Sequence, residues 1–471
     1  MKKRTKIIAT VSDRNCSIDF IQELYDNGVN VIRLNTAHQT FEGSLKVIEN
    51  VRKVSDKIAI LVDTKGPEIR TIDIEQEMQV KTGDIVYISD KKEENHFNVS
   101  YPKFNEDISV GNKILIDDGD TELEVTEIIN SVIKCLVKND GAISNKKSIN
   151  VPGVSINLPA LKSKDIEYIN FSVENNLDFI AHSFVRKKED IIAVKSLLDA
   201  RGSNIKVIAK IENQEGVDNI DSILEYADGV MVARGDMALE IPVERIPLIQ
   251  KSIINKCINL RKPVIVATQM LHSMIEHPRP TRAEISDVAN AVYDGTDALM
   301  LSGETAYGKY PIEAVKLMNK IALEVEKTTD TFRDINELTL STPEAAFLAK
   351  HAVEASRTLP VRAIIADTIG GKTIRALSAF RGNINICAQC YNKEVMRELA
   401  LSYGVVAHYM EAKSTSHEFL KEALKILVSN KIFIDEDLVV VIAGNFGHAN
   451  SATFIEISTV ENLMKNVEVA L

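Results

Sequence analysis

The chain has 471 residues, of which 45% are hydrophobic and 26% charged, and its formal net charge is −11 at pH 7. This length is enough for two or three domains, and the composition is that of an ordinary globular protein. The acidic balance argues against a nucleic-acid-binding protein, because phosphate backbones are met by clustered Lys and Arg. A local basic pocket for small phosphates remains compatible with it.

The basic N-terminus MKKRTKIIATVSDRN is followed by an apolar run only from Ile7 to Val11. A secretory signal needs about 7–15 apolar residues, so we predict a strand here. No run approaches the roughly 18 residues of a membrane span. The five cysteines, an odd number, fit a reduced cytoplasmic protein. Cys387 and Cys390 form a lone C-x-x-C without two further ligands nearby, and we interpret them as ordinary thiols at a strand end.

Short β-branched runs recur along the first two thirds of the chain and alternate with segments of helical period. This alternation predicts a parallel sheet. There are eight such runs: residues 6–11, 30–35, 58–64, 178–184, 206–212, 229–236, 263–269 and 298–304. Eight strand–helix units predict a closed (β/α)₈ barrel with its active site at the carboxyl ends of the strands.

Many of these runs end in polar residues, which the barrel would bring to one face. They are Arg33, Asn35, Asp63, Lys210, Glu212, Asp236, Thr268 and Glu304. Between the third and fourth runs no clear helix is expected. Residues 71–154 instead show hairpin patterns with Gly and Asp turns, which predict an inserted β domain that could act as a lid.

The barrel is therefore assigned to residues 1–70 and 155–335. After about residue 330 the pattern changes, and five further β-rich runs alternate with helical stretches. We predict that residues 336–471 form a separate C-terminal α/β domain.

The stretch VIAKIENQEG (207–216) places Lys210 and Glu212 two residues apart at the end of a buried strand, hence on one face. Unpaired buried charge is costly, so each needs a partner. One interpretation is a structural salt bridge between them. The other is a metal site, since Glu212 and Asp236 would be hard oxygen ligands suited to Mg²⁺ or Mn²⁺.

The segment VARGDMALEIP (232–242) predicts a helix start, where backbone N–H groups bind phosphate or carboxylate oxygens. Positive groups are expected on the same rim from Arg33, Lys65, Arg70 and Lys210. Together these features indicate a phosphorylated anionic substrate. The chain has no Walker loop, and GGKT (370–373) is interpreted as a helix start able to bind some phosphate.

Several long motifs, in order along the barrel, closely resemble the pyruvate kinase family. They are LVDTKGPEIRT (61–71), NVPGVSINLPALKSKD (150–165), KIENQEG (210–216), MVARGDMALEIP (231–242), ATQML (267–271) and HPRPTRAEISDVANAVYDGTDALMLSGETAYGKYP (277–311). The C-terminal part resembles the family in pattern and only weakly in sequence.

The resemblance implies phosphoryl transfer from phosphoenolpyruvate to ADP, giving pyruvate and ATP, in a cytoplasmic homotetramer that binds neither nucleic acid nor membrane. It implies that Lys210 stabilises the enolate and the transferred phosphoryl group, and that Glu212 and Asp236 bind Mg²⁺ or Mn²⁺. By the same resemblance, the substrate is bound by Arg33, Gly235, Asp236 and Thr268. The nucleotide is bound by Asn35, Arg70 and Lys164. The K⁺ ion is bound by Asn35, Asp63 and Thr64.

The chain departs from the family at the K⁺ site, where Ala37 replaces a serine whose hydroxyl is a ligand. Thr36 would point to the opposite face if the segment stays extended. Glu68 matches the acidic residue of K⁺-requiring relatives. We therefore predict K⁺ activation with weaker binding.

Relatives often bind a sugar bisphosphate in the C-terminal domain. Thr368, Lys372 and Thr373 remain for one phosphate, but the late loop 443–454 has His448 and no Lys or Arg. We predict weak or absent activation by fructose 1,6-bisphosphate, and the sequence identifies no other effector.

Two alternatives stay open at this point. A lyase or aldolase of oxo-acids would also use paired carboxylates and a metal-bound enolate, but would not need the β insert, Arg70 or Lys164. An inactive relative kept as a binding protein would need no turnover at all.

Overall fold

The computed structural model describes residues 3–91, 93–328, 332–335, 342–413, 415–429, 432–444 and 452–469. The chain begins with three strands separated by two helices, and nearly every residue of these strands is buried. They comprise β1 (Lys6–Thr10), α1 (Ile18–Asp26), β2 (Val31–Asn35), α2 (Phe41–Val54) and β3 (Ala59–Asp63). Ser17 and Thr40 cap the two helices by accepting hydrogen bonds from backbone N–H groups of the first turn.

A second, smaller closed barrel follows β3 and has its own apolar core. Alternate residues of its strands are buried, as expected of antiparallel strands with one face to the core. Its elements, including a separate two-stranded pair formed by β5 and β11, are β4 (Ile69–Ile72), β5 (Met78–Val80), β6 (Ile85–Ile88), β7 (His96–Val99), α3 (Phe104–Asp107), β8 (Lys113–Ile116), β9 (Thr121–Ile129), β10 (Val132–Val137), β11 (Gly141–Ile143) and β12 (Ser148–Asn150).

The chain then returns to the large barrel and completes it. The elements are α4 (Ser163–Glu174), β13 (Phe179–His182), α5 (Lys188–Asp199), β14 (Lys206–Ile211), α6 (Gln214–Asp218), α7 (Ile220–Tyr226), β15 (Gly229–Ala233), α8 (Arg234–Glu240), α9 (Ile246–Asn259), β16 (Val264–Ala267), α10 (Arg282–Tyr293), β17 (Ala298–Leu301), α11 (Gly303–Ala306) and α12 (Pro311–Thr328). The eight strands close in the order β1-β17-β16-β15-β14-β13-β3-β2, all parallel.

Two apolar layers hold this barrel together. Side chains such as Ile8, Leu61, Ile208 and Met231 form one buried cluster, while the intervening strand residues pack against the helices in another. This division follows from the two-residue period of a strand. The predicted (β/α)₈ fold is confirmed, and every predicted barrel strand overlaps an observed one.

The expectation of no helix between the third and fourth barrel strands was wrong. Helix α4 spans twelve residues there, and α3 adds one turn. Asp165 caps α4 by accepting from the backbone N–H of Lys162 at 3.0 Å. Tyr168, Ile169 and Ser172 form its buried face. That face is narrow and partly polar, which is why the apolar period was weak in the sequence.

The C-terminal part is a five-stranded sheet of order β20-β19-β18-β21-β22, in which only β22 runs antiparallel to its neighbour. Its elements are α13 (Pro343–Thr358), β18 (Val361–Thr368), α14 (Lys372–Ala379), β19 (Asn385–Cys390), α15 (Lys393–Glu398), β20 (Val405–Tyr409), α16 (Ser416–Ser429), β21 (Leu438–Gly444), β22 (Ala452–Thr459) and α17 (Val460–Val469).

This sheet domain lies against the amino-terminal end of the large barrel. Buried ion pairs join the two, Arg397 to Asp178 at 2.5 Å and Arg381 to Asp297 at 2.7 Å. The helix start predicted at GGKT is confirmed, because α14 begins at Lys372. Most of the late loop 443–454, including His448, lies outside the described residues.

The two residues of the C-x-x-C motif, Cys387 and Cys390, are buried thiols in β19. Within the described part of the chain no cluster of three or more metal-binding side chains is found. None of the described helices is long and apolar enough to cross a membrane.

Candidate active site

A buried cluster of charged side chains lies at the carboxyl end of the large barrel, around Lys210. Its ammonium Nζ is 3.0 Å from Asp63 Oδ1 and 3.0 Å from Glu212 Oε1, and it donates to Ser183 Oγ at 2.7 Å. All four residues are less than a tenth exposed. We call these four residues the Lys210 cluster.

Strand register explains how the cluster assembles. Asp63 is the last residue of β3 and pairs with Ala181 of β13, while Ala209 of β14 pairs with His182. Strand β13 therefore lies between the strands of Asp63 and Lys210, and Ser183 follows its end directly. The side chains of Asp63 and Lys210 therefore meet over the carboxyl end of β13.

Arg33 contacts the cluster through two of its guanidinium nitrogens, which share one carboxylate oxygen of Asp63. Its Nε and Nη2 lie 2.7 and 2.6 Å from Asp63 Oδ2, and Nη1 donates to Thr10 Oγ1 at 3.0 Å. A planar guanidinium held in this way presents its remaining N–H groups in a fixed direction. That geometry suits a phosphate or carboxylate ligand.

The pKa shifts in the cluster follow from burial and charge. Burial alone would raise the pKa of Asp63, but Arg33 and Lys210 outweigh it and lower the pKa. Burial alone would lower the pKa of Lys210, but Asp63 and Glu212 raise it. Lys210 is therefore an ammonium ion in the folded protein.

Glu212 differs from Asp63 because fewer positive groups lie next to its carboxylate. Burial raises its pKa, and the nearby Asp236 carboxylate raises it further, against the effect of Lys210. Its other oxygen, Oε2, accepts from the backbone N–H of Phe184 at 2.6 Å. A second cation near Glu212 and Asp236 would relieve this shortage, as a bound divalent metal does.

Asp236 lies in the first turn of α8 and not at a strand end, because β15 already ends at Ala233. The strand predicted to run to Asp236 is therefore three residues shorter. The backbone N–H of Gly235, next to it, donates to Thr268 Oγ1 at 2.7 Å. Thr268 follows β16 with φ at +68°, in the left-handed region that costs a non-glycine residue about 1 kcal/mol or more.

Arg70 lies in the first strand of the smaller barrel, and Lys164 lies in the helix by which the chain returns to the large barrel. Arg70, on β4, contacts both oxygens of Glu68 at 2.8 Å. Lys164, in α4, donates from Nζ to the carbonyl of Thr36 at 2.7 Å. Lys65 makes a longer contact, with its Nζ 3.8 Å from Glu68 Oε2.

Thr36 was predicted to point to the opposite face from Asn35 if the segment stayed extended. The chain instead turns directly after Asn35, so that prediction does not apply. Asn35 Oδ1 accepts from the backbone N–H of Ala37 at 3.2 Å. Thr36 Oγ1 instead donates to the carbonyl of Asp63 at 2.8 Å. Thr64, on the other side of Asp63, has its hydroxyl 3.3 Å from His182 Nδ1.

Comparison with known proteins gives the family. The family model "Pyruvate kinase, barrel domain" matches residues 2–315, and "Pyruvate kinase, alpha/beta domain" matches residues 347–458. The pyruvate kinase of Borreliella burgdorferi is 48% identical over 99% of both chains, and that of Geobacillus stearothermophilus is 44% identical over 98% of this chain and 81% of the relative.

The chain belongs to the pyruvate kinase family. A crystal structure of a pyruvate kinase from Cryptosporidium parvum has the same fold, with a TM-score of 0.91 at 34% identity over 97% of this chain and 96% of that one. The enzyme therefore transfers phosphoryl from phosphoenolpyruvate to ADP, and pyruvate kinases need a divalent metal for this.

Sequence reasoning did not assign a role to Ser183, although its hydroxyl contacts both Lys210 and Asp63 in the Lys210 cluster. Ser183 Oγ lies 3.2 Å from Asp63 Oδ1 and donates to the Thr64 carbonyl at 2.7 Å. The available signal was its position near the carboxyl end of the predicted strand 178–184. Glu304, by contrast, was the last residue of the predicted strand 298–304, but its carboxylate accepts from the backbone N–H groups of Leu271 and Ser302.

Proposed function

We propose that the Lys210 cluster, with Arg33 and the start of α8, is the phosphoryl-transfer site of this pyruvate kinase. The observation that carries the proposal is the buried ammonium of Lys210, held between the Asp63 and Glu212 carboxylates. A fixed cation in a dry site stabilises charge that develops on a nearby phosphoryl or enolate oxygen far more than it does in water.

Glu212 and Asp236 would hold a divalent cation, Mg²⁺ or Mn²⁺. The donor set fits, since both are carboxylates, and burial and repulsion leave Glu212 in need of a further positive charge. When bound, the ion supplies positive charge for the phosphate oxygens of both reactants.

Arg33 would bind the phosphate of phosphoenolpyruvate with the N–H groups that Asp63 leaves free. The backbone N–H groups at the start of α8, at Gly235 and Asp236, would bind its carboxylate. Thr268, whose hydroxyl already bonds to Gly235, would then lie beside the carbon that takes up a proton after transfer. Contacts at the phosphate and at the carboxylate would thus orient the substrate at both its anionic ends.

Arg70 and Lys164 would contact the nucleotide phosphates, and Asn35 would lie between the nucleotide and a K⁺ ion. The K⁺ ligands would be Asn35, Asp63 and Thr64, with Ala37 supplying no side-chain oxygen. In this proposal residues 71–154 form a lid over a catalytic domain made of residues 1–70 and 155–335. Residues 336–471 would form the C-terminal domain, in a cytoplasmic homotetramer.

The test is a pyruvate-release assay in which ADP, Mg²⁺ and K⁺ are omitted one at a time. We expect pyruvate only when ADP and Mg²⁺ are both present, and a clear drop without K⁺. Pyruvate released without ADP would indicate lyase chemistry. No release under any condition would indicate an inactive relative.

A further inference from the structure

Helix α4 begins with a lysine at a position where a lysine is unfavourable. Its N-cap residue is Lys162, and Lys164 lies in the first turn. A lysine side chain cannot accept a hydrogen bond from the free N–H groups of a helix start, and the positive end of the helix dipole repels its charge. The start of α4 therefore carries two cations that the helix itself does not stabilise.

The Lys162 ammonium lies among other positive charges. Its Nζ donates to the backbone carbonyl of Glu68 at 3.1 Å. The Glu68 carboxylate binds Arg70 with both of its oxygens at 2.8 Å, and Lys65 Nζ is 3.8 Å from one of them. No ion pair among the described residues includes Lys162. We call Lys65, Glu68, Arg70 and Lys162, in which three cations surround one carboxylate, the Glu68 cluster.

The carboxylate of Asp165 also acts on Lys162, but its oxygens are already engaged. Asp165 is buried and accepts from the backbone N–H groups of Lys65, Gly66 and Lys162 at 3.1, 3.2 and 3.0 Å. These hydrogen bonds hold the start of α4 against the segment that follows Asp63. The Glu68 cluster therefore adjoins the Lys210 cluster, to which Asp63 belongs.

The positive charge on Lys162 is not compensated within the protein. Burial and the neighbouring ammonium of Lys65 lower the pKa of Lys162, and they outweigh the opposite effect of Glu68 and Asp165. The residue is half-buried, so part of its hydration is lost without a counter-charge in return. A cation in such surroundings is unfavourable unless an anion binds beside it.

The start of α5 shows that a lysine at the N-cap does not by itself create this situation. Lys187 is the N-cap of α5, and Asp190 accepts from its backbone N–H at 3.2 Å, as Asp165 does at Lys162. Lys187 is exposed, however, and lies outside the Glu68 cluster. Solvent screens its charge. The two helix starts thus share their local structure and differ in what surrounds the ammonium.

We propose that Lys162 is a further nucleotide-binding residue, whose ammonium contacts the phosphates of ADP and ATP beside Arg70 and Lys164. This inference rests on the proposed function, which assigns Arg70 and Lys164 to the nucleotide. An ammonium has three N–H donors, and the Glu68 carbonyl takes one of them, so two remain for phosphate oxygens. The negative charge of the diphosphate would balance the surplus positive charge of the Glu68 cluster.

Binding is tested by calorimetry on the full chain with ADP, at a fixed Mg²⁺ concentration and without phosphoenolpyruvate. K162Q removes the ammonium, and K187Q makes the same change at the start of α5. We expect the dissociation constant of ADP to rise about fivefold or more in K162Q and to keep the parent's value in K187Q. K162R, which retains the charge, should bind ADP more tightly than K162Q. Adenosine, which has no phosphate, should bind K162Q and the parent equally.

Steady-state kinetics gives a second readout. Lys162 would contact the phosphates both before and during transfer, so KM for ADP should rise about fivefold or more in K162Q while kcat stays within about twofold. KM for phosphoenolpyruvate should not change. A lower kcat with an unchanged KM for ADP would contradict a role in nucleotide binding.

An equal dissociation constant of ADP in K162Q and K187Q would overturn the inference, and K164Q shows whether the proposed function fails with it. If K164Q weakens ADP binding and K162Q does not, the proposed nucleotide site stands without Lys162. If neither variant weakens it, the nucleotide site itself is wrongly assigned. K162Q should melt no lower than K187Q, because both variants lose an unfavourable charge at a helix start. A lower melting temperature with unchanged ADP binding would show that Lys162 has a structural role instead.

Discussion

At the carboxyl-terminal end of the barrel Lys210 and Arg33 face three carboxylates, Asp63, Glu212 and Asp236. At the amino-terminal end, by contrast, the cavity between the barrel and the C-terminal domain is lined by five cationic side chains and two carboxylates. One parallel sheet thus separates a region short of positive charge from a region short of negative charge. Neither imbalance is visible in the net charge of the chain.

The amino-terminal end also contains fully balanced pairs, which show what a purely structural ion pair looks like here. Arg381 contacts Asp297 at 2.7 Å, and Asp297 also accepts from the backbone N–H of Tyr403 at 2.9 Å. Every oxygen of this carboxylate is engaged within the protein. The Glu212–Asp236 pair differs from it, because the Lys210 ammonium that contacts Glu212 is shared with Asp63.

The largest effect is expected from Lys210→Met. Loss of the ammonium removes charge stabilisation made in the transition state, so turnover should fall by about 10³-fold or more while the protein stays folded and binds metal. Steady-state pyruvate formation and circular dichroism measure the two properties. Lys256→Met, which removes an exposed lysine, should keep the parent's rate. Turnover of Lys210→Met within about tenfold of the parent would refute the assigned role.

The next largest effect is expected at the proposed metal site formed by Glu212 and Asp236. Glu212→Gln and Asp236→Asn should each raise the Mg²⁺ concentration for half-maximal activity by about tenfold or more, because a neutral amide is a poor ligand for a hard cation. Glu240→Gln, on the same helix as Asp236, is the matched control and should keep the parent's Mg²⁺ titration. Unchanged titrations in both test variants would remove the two carboxylates from the metal site.

At the other end of the barrel, Asp297→Asn should lower the free energy of unfolding by about 3–5 kcal/mol, since it leaves Arg381 buried without its counter-charge. Denaturant titration measures this. Asp221→Asn breaks an exposed contact with Lys256 and should cost about 0–1 kcal/mol. If the two variants lost equal stability, the distinction between balanced buried pairs and surface pairs would not hold here.

The smallest effect is expected at the K⁺ site, where Ala37→Ser restores a hydroxyl. K⁺ should then activate at a concentration about three- to tenfold lower, measured as rate against K⁺ concentration at fixed ionic strength. The parent should still need K⁺, because Asn35, Asp63 and Thr64 remain. Full parent activity with only a bulky organic cation present would contradict this.

Much of the site was predictable because it depends on local spacing. Lys210 and Glu212 share a face since a strand has a period of two, and the eight barrel strands were visible as β-branched runs. Helix α4 was missed, because its buried face is partly polar. The strand end at Ala233 was misplaced by three residues, because helix α8 begins at Arg234 directly after the strand, with no loop between them to mark the boundary.

The sequence by itself determined the barrel, the family and the order of the charged motifs, because periodicity and motif order are properties of neighbours along the chain. Only the tertiary structure decided which charges meet. Asp63 and Lys210 are 147 residues apart and come within 3.0 Å through the register of β3, β13 and β14. The position of Ser183 in the Lys210 cluster and the turn that directs Thr36 to Asp63 depend in the same way on strand register and packing, which no local pattern encodes.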